Sequence, residues 1–335
     1  MKTIGVVIGS TDEEIEPKYF KKKKATLKFL EDYGYTLPHI PYDTAIFAEI
    51  KHQAKKMNVI PLFGDDYLSL DECKKCDVIF CIVEGTYSFS FGGKKQYDHY
   101  FRTLKKSKAH IIPSLEFQKF ILHKHTYMKF LQKEGFQLAP THYISLPVKS
   151  VQPMINFIDK NSYGQVILKP ELGAFKQGFK KVDNPNTKKL TKLVSQFHKQ
   201  GFKNLLLQPF VREFNYFGEI KTYWVGGKHV YSYNQKWDEN GEGYYTHQKD
   251  IETSLHKECL QTARKVIQSI EHKMKESLVH CRIDFACCLD IVKQCRVFFI
   301  NEIEICPTIG SDEYEADGKG YTLLAKELLR KVGTQ

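Results

Sequence analysis

Short apolar runs alternate with amphipathic stretches along the first third of the chain. The apolar runs predict strands at residues 4–8 and 78–83, and the stretches that follow them predict helices at 25–33 and 97–104. Strands that alternate with helices in this way are typical of an α/β unit built on a parallel sheet. We therefore expect such a unit over residues 1–113.

The remainder of the chain predicts two further units. A single helix is expected over 115–134, because its periodicity runs up to Gly135 and Pro140. The later predicted elements are strands at 165–168, 205–207, 221–225, 229–233, 281–289 and 296–303, and helices at 188–199 and 255–275. With no repeat or low-complexity linker between them, we place the units at 114–210 and 211–335.

Composition narrows the class of protein. The chain has 335 residues with a net charge of +11, which favours an anionic partner, but no nucleic-acid-binding module accompanies the lysines, so nucleic acid is not expected. No apolar run reaches the about 18 residues that a membrane span needs. Nine scattered cysteines fit a reducing compartment, so we expect a cytoplasmic protein without membrane contact. The Cys73-x-x-Cys76 pair lacks the second pair that a zinc site requires.

One lysine lies where phosphate binding is plausible on chemical grounds. Lys169 ends a predicted strand, and a loop containing Gly173 and Gly178 follows it. A fixed ammonium supplies a point charge for phosphate, and glycines let backbone N–H groups approach it closely. An ordinary hairpin beside a lysine explains the same residues, and the loop alone does not decide between the two.

Acidic residues lie on two predicted strands near the end of the chain. Arg282 and Asp284 share one strand, and Glu302 and Glu304 share the other. Strand alternation puts Glu302 and Glu304 on one face. Carboxylates on an otherwise apolar strand need a cation when they are buried, and three oxygen donors suit Mg²⁺. The alternative is an edge strand that exposes its glutamates to solvent.

These strands carry a resemblance that extends over most of the chain. The pattern Arg282-x-Asp284 followed by Asn301-Glu302-x-Glu304-x-x-Pro307 resembles the metal-binding end of ATP-grasp ligases, specifically the D-alanine:D-alanine ligases. Other stretches similar to that family follow in its order: 7–14, 84–96, Lys124 to Pro140, Lys169 to Gly178, and Gln208 to Val211. The resemblance implies an ATP-grasp fold with an N-terminal Rossmann-like (pre-ATP-grasp) parallel-sheet domain.

The resemblance also implies a role for each matched residue. It implies a nucleotide site made of Lys124, Lys169, Gly173, Gly178, Gln208, Phe210, Val211, Glu219 and Lys221. It implies metal ligands at Asp284, Glu302 and Glu304, an oxyanion-stabilising Arg282, a lid lysine at Lys236 or Lys249, and Glu14 in the N-terminal turn. ATP and two Mg²⁺ ions, or Mn²⁺ in their place, are the expected cofactors.

The implied reaction joins a small-molecule or peptide carboxylate to an amine through an acyl phosphate. The chain departs from the family where substrate would lie, at Glu84, at Ala174 to Lys176 and at Thr308, and Glu304 replaces an asparagine among the metal ligands. D-Alanine itself is therefore not implied. The oligomeric state stays open, with a homodimer as one expectation.

Two alternatives remain. The first is a kinase of the same fold that acts on an anionic substrate such as an inositol phosphate, in which Lys221 has a counterpart but Arg282 has none. The second is a non-catalytic nucleotide-binding protein. Retention of the lysines and carboxylates weighs against that second alternative, because charges that have lost their ligand destabilise a buried site.

Overall fold

The computed structural model describes residues 1–8, 20, 24–32, 34–37, 39–63, 68–81, 94–172, 178–237, 243–290, 295–305 and 319–333. The helices within those ranges do not combine the length and the hydropathy that crossing a membrane requires.

The N-terminal part forms a parallel sheet. Its strands are β1 (Thr3–Ile8), β2 (Asn58–Phe63), β3 (Val78–Phe80) and β4 (His110–Ile112), in the order β2-β1-β3-β4. All of their pairings are parallel, so the predicted α/β sheet is confirmed. Its helices are α1 (Lys24–Glu31), α2 (Tyr42–Gln53), α3 (Leu70–Cys73) and α4 (Lys94–Ser107).

Apolar cores cover both faces of this sheet. On one face Ile4 and Phe80 belong to a core that includes Tyr321 and Leu324 of the last helix, α11 (Lys319–Gly333). On the other face the core contains Val7 and residues of α4. Helix α11 therefore contributes to the core on the first of these two faces, a long-range contact that the sequence pattern does not predict.

The central part forms a small antiparallel sheet. Its strands are β5 (His142–Ser145), β6 (Gln165–Pro170), β7 (Lys180–Asp183) and β8 (Asn204–Pro209), in the order β5-β8-β6-β7. Helices α7 (Gln152–Lys160) and α8 (Thr187–Lys199) share a core with it. Asn186 caps α8 by accepting a hydrogen bond from the Lys189 N–H at 3.0 Å.

The C-terminal part forms a second antiparallel sheet. Its strands are β9 (Glu219–Val225), β10 (Lys228–Trp237), β11 (Gly243–His247), β12 (His280–Asp290) and β13 (Cys295–Glu304), in the order β11-β10-β9-β12-β13. The short helix α9 (Phe214–Phe217) precedes it, and α10 (Thr253–Met274) packs against one of its faces. The unit boundaries placed at 113/114 and 210/211 fall between the strands of successive sheets. The boundaries themselves stay predictions.

The single helix expected over 115–134 is wrong. Two helices occur there, α5 (Leu115–Leu122) and α6 (Lys124–Lys133). His123 separates them with φ −82° and ψ 87°, and its N–H closes α5 on the Lys119 carbonyl at 3.1 Å. Its ring contacts Tyr97 and Glu171 instead of continuing the helical face. The break puts Lys124 at the start of α6.

Candidate functional site

One face of the C-terminal sheet gathers charged side chains from three neighbouring strands. Asp284 on β12 lies opposite Glu302 on one side and Lys221 on the other. Arg282 lies two residues earlier, opposite Glu304 and Tyr223. Since alternate residues of a strand point to the same side, these groups share one face.

Within this face the carboxylates are neutralised by protein cations. The Lys221 ammonium lies 2.6 Å from Asp284 Oδ2 and 2.7 Å from Glu219 Oε2. Arg282 Nε donates to Asp284 Oδ1 at 2.7 Å, and its Nη2 donates to Glu304 Oε1 at 2.6 Å. The Asp284 side chain is 2% exposed, so this pairing offsets a large desolvation cost.

Two lysines reach the face from other elements. The Lys124 ammonium, at the start of α6, lies 2.8 Å from Glu302 Oε1. One turn later in α6, the Tyr127 hydroxyl accepts a hydrogen bond from the Ile303 N–H at 3.4 Å, which ties α6 to β13. Lys169 on β6 approaches from the central sheet, close enough to Glu302 to interact electrostatically with it.

The pKa shifts follow from this crowding. Burial opposes ionisation of Asp284, but Arg282 and Lys221 hold its pKa below the ordinary value. Burial acts on Glu302 in the same way, and Lys124 and Lys169 hold its pKa low. Burial lowers the pKa of Lys169 itself, with Lys124 adding repulsion. An added negative charge near Lys169 would therefore stabilise its charged form.

A β-bulge shapes the middle of the face. The pairing of β12 with β13 shifts between Asp284 and Phe285, which leaves Asn301 as the extra residue. Asn301 Nδ2 then donates to Glu219 Oε1 at 2.6 Å. Bulges often redirect a side chain next to a functional site, and here the bulge directs an amide toward Glu219.

The same face becomes apolar at its other end. Beyond Asp284 along β12 come Ala286 and Cys288, which belong to a small cluster with Val211 and Phe299. From Arg282 to Cys288 is six residues, or about 20 Å of strand. The face therefore runs from an apolar end, past Glu219, to the charged end.

The segment after β8 lies beside this apolar end. Gln208 is buried and donates to Thr141 Oγ1 at 2.8 Å. The Phe210 N–H donates to the Gln165 carbonyl at 3.0 Å, and the Lys181 ammonium lies 4.2 Å from the centre of its ring. Phe210 thus connects the central sheet to the start of the C-terminal part.

The glycine loop is described only at its end. Gly178 has φ +73°, and a Cβ there would lie 2.7 Å from Pro170 Cγ, so glycine is required on both counts. Gly173 lies outside the described residues, as do Glu14, Glu84, Ala174 to Lys176, Pro307 and Thr308.

The two candidate lid lysines are not brought to the charged end. Lys236 follows Gln235, which pairs with Glu219, so strand alternation puts Lys236 on the opposite face. There it lines a cavity with Ile220 and Leu255. Lys249 lies exposed on a short 3-10 helix (Gln248–Asp250). Their lid role stays a prediction.

A further cluster, next to Lys124 and Lys169, is not predicted from the sequence. His123 and His125 flank Lys124, and Glu171 follows Lys169 by two residues. Both imidazoles contact Glu171 Oε1. Burial lowers the pKa of each imidazole, and nearby lysines add to the effect. The only available signal is the His-x-His spacing, which becomes meaningful once the fold brings in Glu171.

Comparison with known proteins identifies the fold. No family model and no curated protein sequence matches this chain. The solved structure of D-cycloserine synthetase DcsG is similar to it, with a TM-score of 0.71 at 13% identity over 99% of this chain and 100% of that one.

Two more solved structures are similar over nearly their whole length. D-alanyl-alanine synthetase A from Vibrio cholerae has a TM-score of 0.66 at 13% identity, over 99% of this chain and 98% of that one. D-alanine:D-alanine ligase from Bacillus anthracis, complexed with ATP, has a TM-score of 0.59 at 13% identity, over 98% and 97%. The chain has the ATP-grasp fold, so the expected fold class is confirmed.

Proposed function

We propose that this chain is an ATP-dependent ligase that joins a carboxylate to an amine, using Mg²⁺ and an acyl-phosphate intermediate. One observation carries the proposal. Along one face of the C-terminal sheet, an apolar end is followed by the buried Glu219 and then by the paired carboxylates. Lys124 and Lys169, from other elements, reach the charged end of this face.

A nucleoside triphosphate would fit along this face in one orientation, with its base at the apolar end and its phosphates at the charged end. The adenine would pack at the apolar end, near Val211 and Ala286. The ribose hydroxyls would meet Glu219, whose Oε1 and Oε2 are already oriented by Asn301 and Lys221. The phosphates would then lie among the lysines, since backbone and ammonium donors suit phosphate oxygens.

The charge of the site supports binding of a metal together with the nucleotide. Four cationic side chains, Lys124, Lys169, Lys221 and Arg282, face four carboxylates, Glu219, Asp284, Glu302 and Glu304. A triphosphate adds several negative charges to this balanced set. Divalent cations bound with the nucleotide would restore neutrality, which a partly buried site requires.

The carboxylates fit Mg²⁺ by donor type. Asp284, Glu302 and Glu304 offer hard oxygen atoms on adjacent strands, and Glu302 and Glu304 are each 25% exposed at the side chain, which leaves them open to solvent and ligand. Bound there, Mg²⁺ would neutralise charge on the phosphates and polarise them toward attack. These residues would hold the ion, and Lys124 and Lys221 would exchange part of their present pairing for phosphate oxygens.

Arg282 supports the ligase rather than another reaction of the same fold. Its guanidinium is held by Asp284 and Glu304, so its position is fixed before substrate arrives. An amide-forming step passes through a tetrahedral oxyanion, and a preoriented cation stabilises that charge. Arg282 provides such a cation at the charged end of the face, where the amide-forming step would take place.

The second candidate, a kinase acting on an anionic substrate, is favoured by one feature. Lys221 is buried, and its ammonium lies between Glu219 and Asp284, where it could neutralise a transferred phosphoryl group. The +11 net charge would also attract such a substrate. A non-catalytic nucleotide-binding protein would use Arg282 only to neutralise Asp284 and Glu304.

A co-substrate screen tests the proposal. Full-length protein with Mg-ATP is supplied with amino acids, short peptides or inositol phosphates, and ADP and inorganic phosphate are measured separately. We expect both products in equal amounts when a carboxylate and an amine are present together. Lys169→Met should abolish the signal, and Lys192→Met, an exposed lysine on α8, should leave it intact. ADP without phosphate, in the presence of an inositol phosphate, would support the kinase instead.

A further inference from the structure

A histidine–glutamate cluster lies at the junction of α6 and the central sheet. His123 separates α5 from α6, His125 is the second residue of α6, and Glu171 directly follows β6. One ligand atom from each residue lies within 4.8 Å of the other two. The His123 Nδ1 to Glu171 Oε1 distance is 2.8 Å, and His125 Nδ1 contacts the same oxygen.

The surroundings hold two of the three side chains in place. Glu171 is 4% exposed, and its second oxygen accepts a hydrogen bond from Asn204 Nδ2 at 2.6 Å. The Glu171 N–H also donates to the Asn204 carbonyl at 3.0 Å. On the other side, His123 Nε2 lies 2.9 Å from the Tyr97 hydroxyl. Outer partners of this kind fix ring orientation and carboxylate position in metal sites.

An ordinary ion pair leaves one part of the cluster unexplained. His125 Nδ1 is buried and directed at Glu171, yet it forms no hydrogen bond of acceptable geometry with any described residue. Buried polar atoms in proteins are nearly always satisfied. A cation held between the ring nitrogens and the carboxylate would satisfy this atom.

The donor set selects the kind of ion. Two imidazole nitrogens and one carboxylate oxygen suit Zn²⁺ and related transition metals, whereas Mg²⁺ prefers oxygen donors alone. Both histidines are partly exposed, so a water or a ligand atom could complete the coordination. We propose that His123, His125 and Glu171 form a Zn²⁺ site that is separate from the carboxylates of the sheet.

This site would fix the distance between two lysines. His123 and His125 lie on either side of Lys124, and Glu171 lies two residues after Lys169. An ion bound to all three would join the start of α6 to the end of β6. It would thereby hold Lys124 and Lys169 at a set spacing, a consequence that rests on the proposed nucleotide function. Binding of Zn²⁺ itself does not rest on it.

Metal binding to the full-length protein, without nucleotide, tests the site. Chelator-treated protein is titrated with Zn²⁺ against a chromophoric indicator, and with Co²⁺ for its visible spectrum. We expect about one equivalent bound and a Co²⁺ spectrum of nitrogen and oxygen ligands, without a sulfur-to-cobalt charge-transfer band. Glu171→Gln and His125→Ala should each weaken binding by at least about tenfold.

Matched variants separate the proposal from its rivals. His142→Ala removes a histidine outside the cluster that stacks on Phe157, and Glu302→Gln removes a carboxylate of the sheet; both should bind Zn²⁺ as the wild type does. The proposal is overturned by an absence of stoichiometric binding in the wild type, or by binding that survives Glu171→Gln. Binding that is lost in Cys76→Ser, together with a thiolate band, would assign the metal to the cysteines instead. If His125→Ala does not fold, the wild-type Co²⁺ spectrum and Glu171→Gln still decide the question.

Discussion

At the scale of single residues, the site is made of charges that already neutralise one another. Lys221 joins Glu219 to Asp284, and Arg282 joins Asp284 to Glu304. From the sequence, three neighbouring acids are expected to need a metal ion for stability, but the protein supplies its own cations. A metal would therefore enter with its nucleotide and is not required to stabilise these carboxylates.

Glu302→Gln tests this arrangement. The substitution removes the negative charge that lies 2.8 Å from the Lys124 ammonium. Mg²⁺-dependent nucleotide binding should weaken by about ten- to a hundredfold, because the loss of even an outer partner of a metal costs that much. Nucleotide binding without Mg²⁺ should not weaken, since the pocket becomes more positive.

Calorimetry with and without Mg²⁺ measures both effects, and loss of turnover should accompany the first. Glu327→Gln, which removes a carboxylate paired with Arg330 on α11, serves as the control and should leave both affinities unchanged. Unaltered Mg²⁺-dependent binding in Glu302→Gln would remove Glu302 from the metal site.

A partly buried histidine on β10, His229, sets a pH dependence of stability. Burial, with help from His256, lowers the pKa of His229 to about 4. In the unfolded chain this imidazole takes up a proton near pH 6.5, so unfolding binds a proton between those two values. The contribution of His229 to the free energy of unfolding should be complete above pH 6.5. It should fall by about 3 kcal/mol as the pH drops toward 4.

Urea unfolding across this pH range checks the prediction. His229→Gln should make the profile less steep, since glutamine does not titrate; the other histidines whose pKa is lowered keep their share of the slope. His198→Gln, at an exposed position on α8, should retain the wild-type slope. Identical slopes in the wild type and His229→Gln would show that His229 does not govern this dependence.

At the scale of elements, strands with alternating or continuous apolar residues could be predicted, and elements that depend on distant contacts could not. The strands around Lys221 and Asp284 were within a few residues of the prediction. By contrast, α2 is buried on every side over 43–50, so it shows no amphipathic period. The strand β7 (Lys180–Asp183) is too polar to be recognised without its partner β6.

The candidate site divides along the same line. Strand alternation alone places Glu302 and Glu304 on one face, and the register agrees. The ion pairs could not be predicted, because Lys124 and Glu302 lie far apart in the chain and meet only through the packing of α6 on β13. The cluster around Glu171 depends on an unpredicted break at His123, and so it was missed.

The turn that leads into β9 gives a prediction for this scale. Gly218 has φ +79°, and a Cβ there would lie 2.4 Å from Asn234 Oδ1 and 2.5 Å from the Gln235 carbonyl oxygen. Gly218→Ala should therefore destabilise the protein by about 1–3 kcal/mol and displace Glu219. Urea unfolding measures the loss of stability.

Gly135→Ala is the matched control. Gly135 has φ +84°, but nothing lies within 4 Å of a Cβ placed there, so only the backbone cost applies. Gly218→Ala should lose more stability than Gly135→Ala. Equal losses of stability would mean that Asn234 and Gln235 of β10 move aside for the added methyl group without a measurable loss of free energy.

At the scale of the whole molecule, the site lies where separate cores meet. The central sheet has its own core with α7 and α8, whereas α6 shares a core with the C-terminal sheet. Lys169 therefore lies on a strand of one core and Lys124 on a helix of another, and both lysines approach Glu302. Among the described cysteines none is disulfide-bonded.

The proposed reaction can be tested before the amine substrate is known. A ligase activates its carboxylate as an acyl phosphate, which hydroxylamine captures as a hydroxamate. Arg282→Lys keeps the charge but loses the fork that Asp284 and Glu304 hold, so kcat should fall by about 10² to 10³ while the KM for ATP changes much less.

Trapping the intermediate is the most direct measurement of the central claim. Full-length protein, Mg-ATP, hydroxylamine and a carboxylate identified by the co-substrate screen are incubated together, and products are measured by mass spectrometry. The ligase predicts a hydroxamate that accumulates in step with ADP and inorganic phosphate. A phosphorylated product that is stable to hydroxylamine, with near-normal kcat in Arg282→Lys, would contradict the ligase.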